Sequence, residues 1–182
     1  MLRRTVVVLA AALMAALSAG VAAAQDYQPG RYDGRNVSGW SYEPALSEKG
    51  DPHWAPTDGS SGRDGANCTV GVEPANGSHE QWTATFASLN AESYAALVAG
   101  NGVSPEPGNR LETVSVQGRP AIRHFMTFAV EGQRFDSVTL TVSGADSLMA
   151  ITCVVEAGGM AERLPAFERF LGGLAILTSP AR

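Results

Sequence analysis

The sequence predicts an α+β domain built on an antiparallel sheet, and three observations carry that prediction. Segments with a two-residue apolar period crowd the second half, turn-forming residues separate them, and one amphipathic helix closes the chain. Runs of strands followed by a helix bury their apolar faces most simply when the helix lies across the sheet.

Before that domain stands a different kind of segment. Met1-Leu2-Arg3-Arg4 is cationic, Val6 to Leu17 is an unbroken apolar run, and small residues follow as far as an Ala22-x-Ala24 site. That order is a secretory signal over residues 1–24, with cleavage between Ala24 and Gln25. An uncleaved anchor is the alternative, but the strongly apolar part is about half of the ~20 residues a spanning helix needs. No cysteine follows the site, so a lipid-modified N-terminus there is excluded. Residues 25–36 read as a flexible N-terminal segment, and residues 37–178 as a single domain.

The first strand is Val37-Ser-Gly-Trp-Ser-Tyr-Glu-Pro44, with Trp40 and Tyr42 on one face. Residues 47–66, rich in glycine, aspartate and serine, show no apolar period and read as a long loop, functional or partly disordered. Cys68 to Val72 is a short strand with Cys68, Val70 and Val72 in phase. After a turn at Ala75-Asn-Gly77, residues 90–99 form a helix capped by Asn90, striped by Tyr94, Leu97 and Val98, and ended by Gly100.

Thr113 to Val116 is the next strand, turned by Gly118-Arg-Pro120. Ala121 to Glu131 places Ile122, His124, Met126, Phe128 and Val130 on one face, with Arg123, Phe125 and Thr127 on the other, outward one. Gly132-Gln133 is a tight connection to Asp136–Val142, whose Val138, Leu140 and Val142 point inward. Ser143-Gly-Ala-Asp146 leads into Leu148–Glu156, apolar on both faces as in a central strand. A final helix over Ala161–Leu174 spaces Leu164, Phe167, Phe170, Leu171 and Leu174 at helical period, with Pro165 in its first turn.

Gly39-Trp-Ser-Tyr-Glu-Pro44, the three-stranded meander that precedes the last helix, Ala150-Ile-Thr-Cys-Val154 and Leu164-Pro-Ala-Phe-Glu-Arg-Phe170 together resemble the PsbP/Mog1-like superfamily. The resemblance covers most of residues 37 to 178 and departs from it in the insertion between Leu46 and Asn67. It implies an α/β/α-like sandwich whose members are mostly accessory and binding proteins, and it brings no shared catalytic residues.

Charge narrows the partners. With Arg3 and Arg4 removed, the 13 basic residues against 18 acidic ones leave a net charge of −7. No cationic face is concentrated anywhere, which argues against nucleic acid and anionic lipid as partners. Cys68 and Cys153 both remain in the mature chain, and in an oxidising compartment such a pair is bridged.

No catalytic, metal or cofactor motif stands out. His53, His79 and His124 lie far apart and share no zinc spacing. His124, in phase with core residues, is a core histidine with one hydrogen bond or, with a carboxylate beside it, a proton-transfer group. Asp58, Ser60, Asp64 and Asn67 offer oxygens to calcium, yet without EF-hand spacing they read as an ordinary acidic loop. No nucleophile elbow and no phosphate-binding glycine loop occurs. Trp40, Tyr42, Trp54 and Trp82 either close a small core or form an aromatic groove. Arg123 and Phe125, with Arg119 nearby, are the candidate partner-binding patch.

The reading that results is an exported, non-enzymatic accessory or binding protein of the cell envelope, periplasmic or secreted, with no cofactor and no membrane span after cleavage. Its partner would be an envelope protein or a small ligand. The alternatives are a periplasmic hydrolase with a dispersed site at His124 or in residues 58–67, and a structural envelope component.

Overall fold

The structure, a computed structural model, describes residues 26–47, 51–99 and 103–179. The expected signal segment and its expected cleavage site therefore lie outside the described residues. Among the described residues no helix is long and apolar enough to cross a membrane.

The fold is α+β. An eight-stranded antiparallel sheet holds β3 (Trp40–Tyr42), β4 (His53–Pro56), β5 (Asn67–Pro74), β6 (Ser104–Pro105), β7 (Arg110–Val116), β8 (Arg119–Val130), β9 (Gln133–Ser143) and β10 (Ser147–Glu156). Its order is β3-β4-β5-β10-β9-β8-β6, and β7 also pairs with β8. The expected meander is thus β7 to β10, one strand longer than the three that sequence spacing suggests. Two-residue turns close its first two hairpins: Gln117-Gly118 and Glu131-Gly132 all have positive φ, the geometry that matches the right-handed twist of paired strands. Arg119 and Pro120, expected in the first turn, already belong to β8.

Helices cover both faces. On one lies α5 (Met160–Gly173), packed on β9 and β10. Phe167, Phe170 and Leu171 of α5 meet Val138, Leu140, Val142, Met149, Ile151, Cys153 and Val155 in the main core. Pro165 is the sixth residue of α5, beyond the first turn where it was expected. Residues 161 and 165 are both exposed, so water can reach the Ala161 carbonyl that proline leaves without a donor. On the other face, α3 (His79–Ser88) lies against β8 and α4 (Ala91–Ala99) against β6. Met126, Phe128, Val130, Phe135, Val154 and Val103 form a second apolar cluster on the sheet face that carries Ile122 and His124.

The described parts of two stretches expected to lack regular structure carry strands and a short helix. In residues 25–36, β1 (Tyr27–Gln28) and β2 (Tyr32–Asp33) pair with each other, and β2 pairs with β11 (Ala175–Ile176). Tyr32 anchors them, its ring edge-on to Trp54 at 6.1 Å. Within residues 47–66, β4 is buried along its whole length and a short α2 (Ser61–Asp64) follows. A strand covered on both faces shows no alternation, which is why His53-Trp54-Ala55-Pro56 escapes a period-based reading. A four-residue α1 (Pro44–Ser47) leads toward it, and the Ser47 hydroxyl accepts from the His53 amide at 2.9 Å.

Cys68 and Cys153 are disulfide-bonded. They are directly opposed in the β5–β10 ladder, and both are fully buried. The bridge therefore staples the strand before the helical excursion to the last strand of the meander, across a separation of 85 residues.

Candidate functional site

Strand parity decides which candidate residues can act together. Arg123 and Phe125 share the β8 face with Ala121, and Ala121 belongs to the α5-side core. The face expected to be outward is therefore the one beneath the C-terminal helix. There the Arg123 guanidinium donates to Glu112 at 3.2 Å and to Glu168 of α5 at 3.1 Å. Phe125 packs against the main core, with the Arg110 guanidinium 4.1 Å above its ring.

Helix α5 does not reach the whole of this face. Between its last turns and the β7–β8 hairpin opens a cleft of about 540 Å³, lined by Val114, Val116 and Gln117 on the hairpin, Leu140 on the floor, and Leu171 and Gly172 on the helix. Arg123 and Glu168 form its polar end. Gly172 leaves one wall bare, because a Cβ there would meet nothing within 4 Å. At the hairpin end Arg119 is buried beside the cleft. It is the Cα partner of Val116 and donates to Gln117 Oε1 at 3.1 Å and to the Thr178 carbonyl.

The other candidates take structural places. Asp58 and Asp64 both grip Arg163, at 3.1 and 2.7 Å. The Asp58 and Asp64 carboxylates also accept from the Ser60 and Ala66 amides, and the Asn67 amide donates to the Gly65 carbonyl. The carboxylate oxygens considered for calcium are thus engaged by Arg163 and by loop amides, the Ser60 hydroxyl is buried with no partner, and Asp58 is held below the usual carboxylate range by its bonds to Ser60 and the Arg163 charge.

Trp40 and Trp54 belong to the main core, and Tyr42 packs against it. Trp40 sits 4.9 Å from Phe170, and Trp54 lies between Tyr42 and Phe170 at 5.5 and 5.4 Å. Trp82 stands apart on α3 against Phe86.

His124 lies on the opposite face, its ring 4.6 Å from that of Tyr94 on α4, and the Tyr94 hydroxyl is 3.1 Å from that of Thr141. Asn90 caps α4 as expected, accepting from the Ser93 amide at 2.8 Å. The side chains of Leu97 and Val98, and Gly100, lie outside the described residues. Burial alone pushes the His124 imidazole down to about 4, with no carboxylate acting on it. A neutral ring in such a place can accept a hydrogen bond, but the acid–base pair a hydrolase would need is not assembled around it. Among the described residues no group of three histidine, cysteine or acidic side chains could hold a metal ion.

Sequence reasoning picked out Arg123, placed Leu171 only in the apolar stripe of the last helix, and passed over Gln117 and Gly172. The legible signal for Gly172 was the glycine pair between Leu171 and Leu174 of that stripe.

The described residues thus form an α+β sandwich with helices on both faces of the sheet and a cleft between a hairpin and a helix. No family model and no curated protein matches the chain. Among solved structures it is similar to PsbP from Synechocystis, at 11% identity over 87% of this chain and 95% of that one, with a TM-score of 0.48. It is similar too to LpqN of Mycobacterium tuberculosis, described as involved in cell envelope biogenesis, at 12% identity over 82% and 86% with a TM-score of 0.48. A third is a Pseudomonas aeruginosa protein of unknown function, at 12% identity over 59% and 69% with a TM-score of 0.40. At such identities and scores, function has to be read from this chain's own residues.

Proposed function

We propose that this chain is an exported, non-enzymatic accessory or binding protein of the cell envelope, and that the cleft between the β7–β8 hairpin and α5 is its recognition site. The cleft is the observation that carries this reading: its volume of about 540 Å³ lies within the range of ligand sites, and its lining is largely apolar with a few polar groups at the ends. Arg123 and Phe125 support the site from below: Arg123 forms one end, and Phe125 holds Arg110 over the same sheet face. Export is supported by the charged, apolar and small-residue order of residues 1–24 and by a buried disulfide, which persists in oxidising compartments.

The test is site-specific photocrosslinking in intact cells. A photoreactive residue in place of Gly172, at the cleft wall, should capture a partner or ligand that the same probe in place of exposed Ala161 does not. Equal capture from both positions would count against the cleft, and a recovered protein whose mass retains residues 1–24 would count against the cleavage.

A further inference from the structure

Arg119 is buried to 6% exposure, yet no carboxylate faces it among the described residues. The other arginines that are not fully in solvent behave differently: Arg31 pairs with Asp146, Arg123 with Glu112 and Glu168, and Arg163 with Asp58 and Asp64. Arg119 has only neutral acceptors, the Gln117 side-chain amide and the Gln117 and Thr178 carbonyls, and its Nε is buried with no acceptor. Burial lowers its proton affinity, but a guanidinium stays charged under all ordinary conditions. A desolvated charge with neutral partners is costly unless an opposite charge arrives.

The place of this cation matters. Gln117 both lines the cleft and supplies the acceptor for Arg119 Nη1. It belongs to the exposed two-residue turn, so its side chain can swing into water and uncover the guanidinium. A carboxylate or phosphate taking its place would exchange a neutral hydrogen bond for a charge-assisted one, about twice as strong. From that point the cleft runs over carbon surface, across Val114, Val116, Leu140, Leu171 and Leu174, to the Arg123–Glu168 pair, which is already neutralised.

Resting on the cleft reading above, we infer that the occupant is a small amphiphile whose anionic head pairs with Arg119 in place of the Gln117 amide while its apolar tail lies along the cleft. The acidic balance of the chain means that such an anion is held by contact and not drawn in by a long-range field.

The experiment measures binding of dodecanoate, dodecyl phosphate and dodecanol, each below its micelle concentration, to the protein as exported. One or both anionic probes should bind at least tenfold more tightly than dodecanol, and which of them does so identifies the head group as carboxylate or phosphate. Gln117→Glu places a carboxylate beside Arg119 from an exposed position and should bring the ratio of anionic-probe to dodecanol affinity down to about one. Arg119→Met should do the same if it folds, and Gln117→Glu decides where it does not. Gly172→Trp, which fills the cleft from its bare wall, should weaken all three probes. Equal binding of the three, no binding of any, or a preference that survives Gln117→Glu overturns the inference about the anion. Binding of all three that is unaffected by Gly172→Trp overturns the cleft reading instead.

Discussion

His53 and His124 stand at the two ends of one cross-strand row, His53–Thr69–Thr152–Thr139–His124, which runs through β4, β5, β10, β9 and β8. Four strand spacings separate them, roughly 19 Å, so they cannot serve one reacting centre. Each has its Nε2 buried without a partner. For His53 the tautomer follows from its neighbour: Nδ1 lies 2.7 Å from the Asp51 carbonyl, which can only accept, so Nδ1 carries the proton. The row is a neutral polar seam inside the sandwich, with the Thr139 and Thr152 hydroxyls bonded to each other at 3.1 Å.

That seam makes stability depend on pH. The folded-state proton affinity of His124 falls from 6.5 to about 4, and that of His53 falls as well, in both cases chiefly through burial. The unfolded chain then binds more protons between pH 4 and 6.5, so stability is fully present above pH 6.5 and is lost as pH falls toward 4. Asp51, raised to about 6 by burial and then by Glu73, acts in the opposite sense between its ordinary value and 6. Replacing His124 with Gln should flatten the acid loss by on the order of 2–3 kcal/mol, read as denaturant midpoints across pH 4 to 7. An unchanged pH profile would refute the buried neutral ring.

Loss of the disulfide should be felt globally. Cys68 and Cys153 close a loop of 85 residues, for which the chain-entropy estimate is roughly 4–5 kcal/mol. The Cys68→Ser, Cys153→Ser double variant should lose about 2–5 kcal/mol in chemical denaturation while keeping the far-UV spectrum of the parent, and thiol labelling of the unreduced, unfolded parent should find no reactive cysteine.

Legibility in the sequence followed exposure. Strands β8 and β9 and helix α5 have faces that differ in polarity along part of their length, and period arguments found them. Strand β4 is buried on both faces, preceded by Pro52 and ended by Pro56, so its composition resembled a loop. Helix α3 was passed over because, of its ten residues, only Phe86 is buried, leaving no apolar stripe. Its signal was the capping box instead: Ser78 accepts from the Gln81 amide while the Gln81 side chain accepts from the Ser78 amide. The cleft was not legible, because it exists only where α5 stops short of the hairpin, and a helix's reach across a sheet is a tertiary quantity. Arg119 was seen as a neighbour of the patch, but its burial without a carboxylate could not be read from spacing.

Gly34 should not tolerate a side chain. A Cβ at that position would lie 2.5 Å from Trp54 Cζ2 and 3.1 Å from Leu174 Cδ1. The indole cannot step aside, since it is fully buried and its Nε1 donates to the Gly34 carbonyl at 3.1 Å. Gly34→Ala should therefore cost about 1–3 kcal/mol by overpacking, with a changed tryptophan emission reporting the displaced ring. A variant as stable as the parent would mean that residues 26–36 do not dock against the aromatic cluster.

Stability and recognition should separate along α5. Phe167 is fully buried in the main core, 6.0 Å from Trp40, and truncating it to Ala removes contacts that the sheet cannot collapse to replace. The expected loss is about 3–5 kcal/mol, and any loss of binding should follow the unfolded fraction. Arg123 differs, because its side chain is 30% exposed and its partners Glu112 and Glu168 are 33% and 51% exposed. Ion pairs so open to water contribute little, so Arg123→Ala should cost no more than about 1 kcal/mol. It would nevertheless remove the polar end of the cleft and leave Glu168 without its counter-charge, lowering capture by a crosslinker placed at Gly172. A folded Arg123→Ala protein that captures its partner as well as the parent would remove Arg123 from the site, leaving the hairpin end at Gln117 and Arg119 to carry recognition alone.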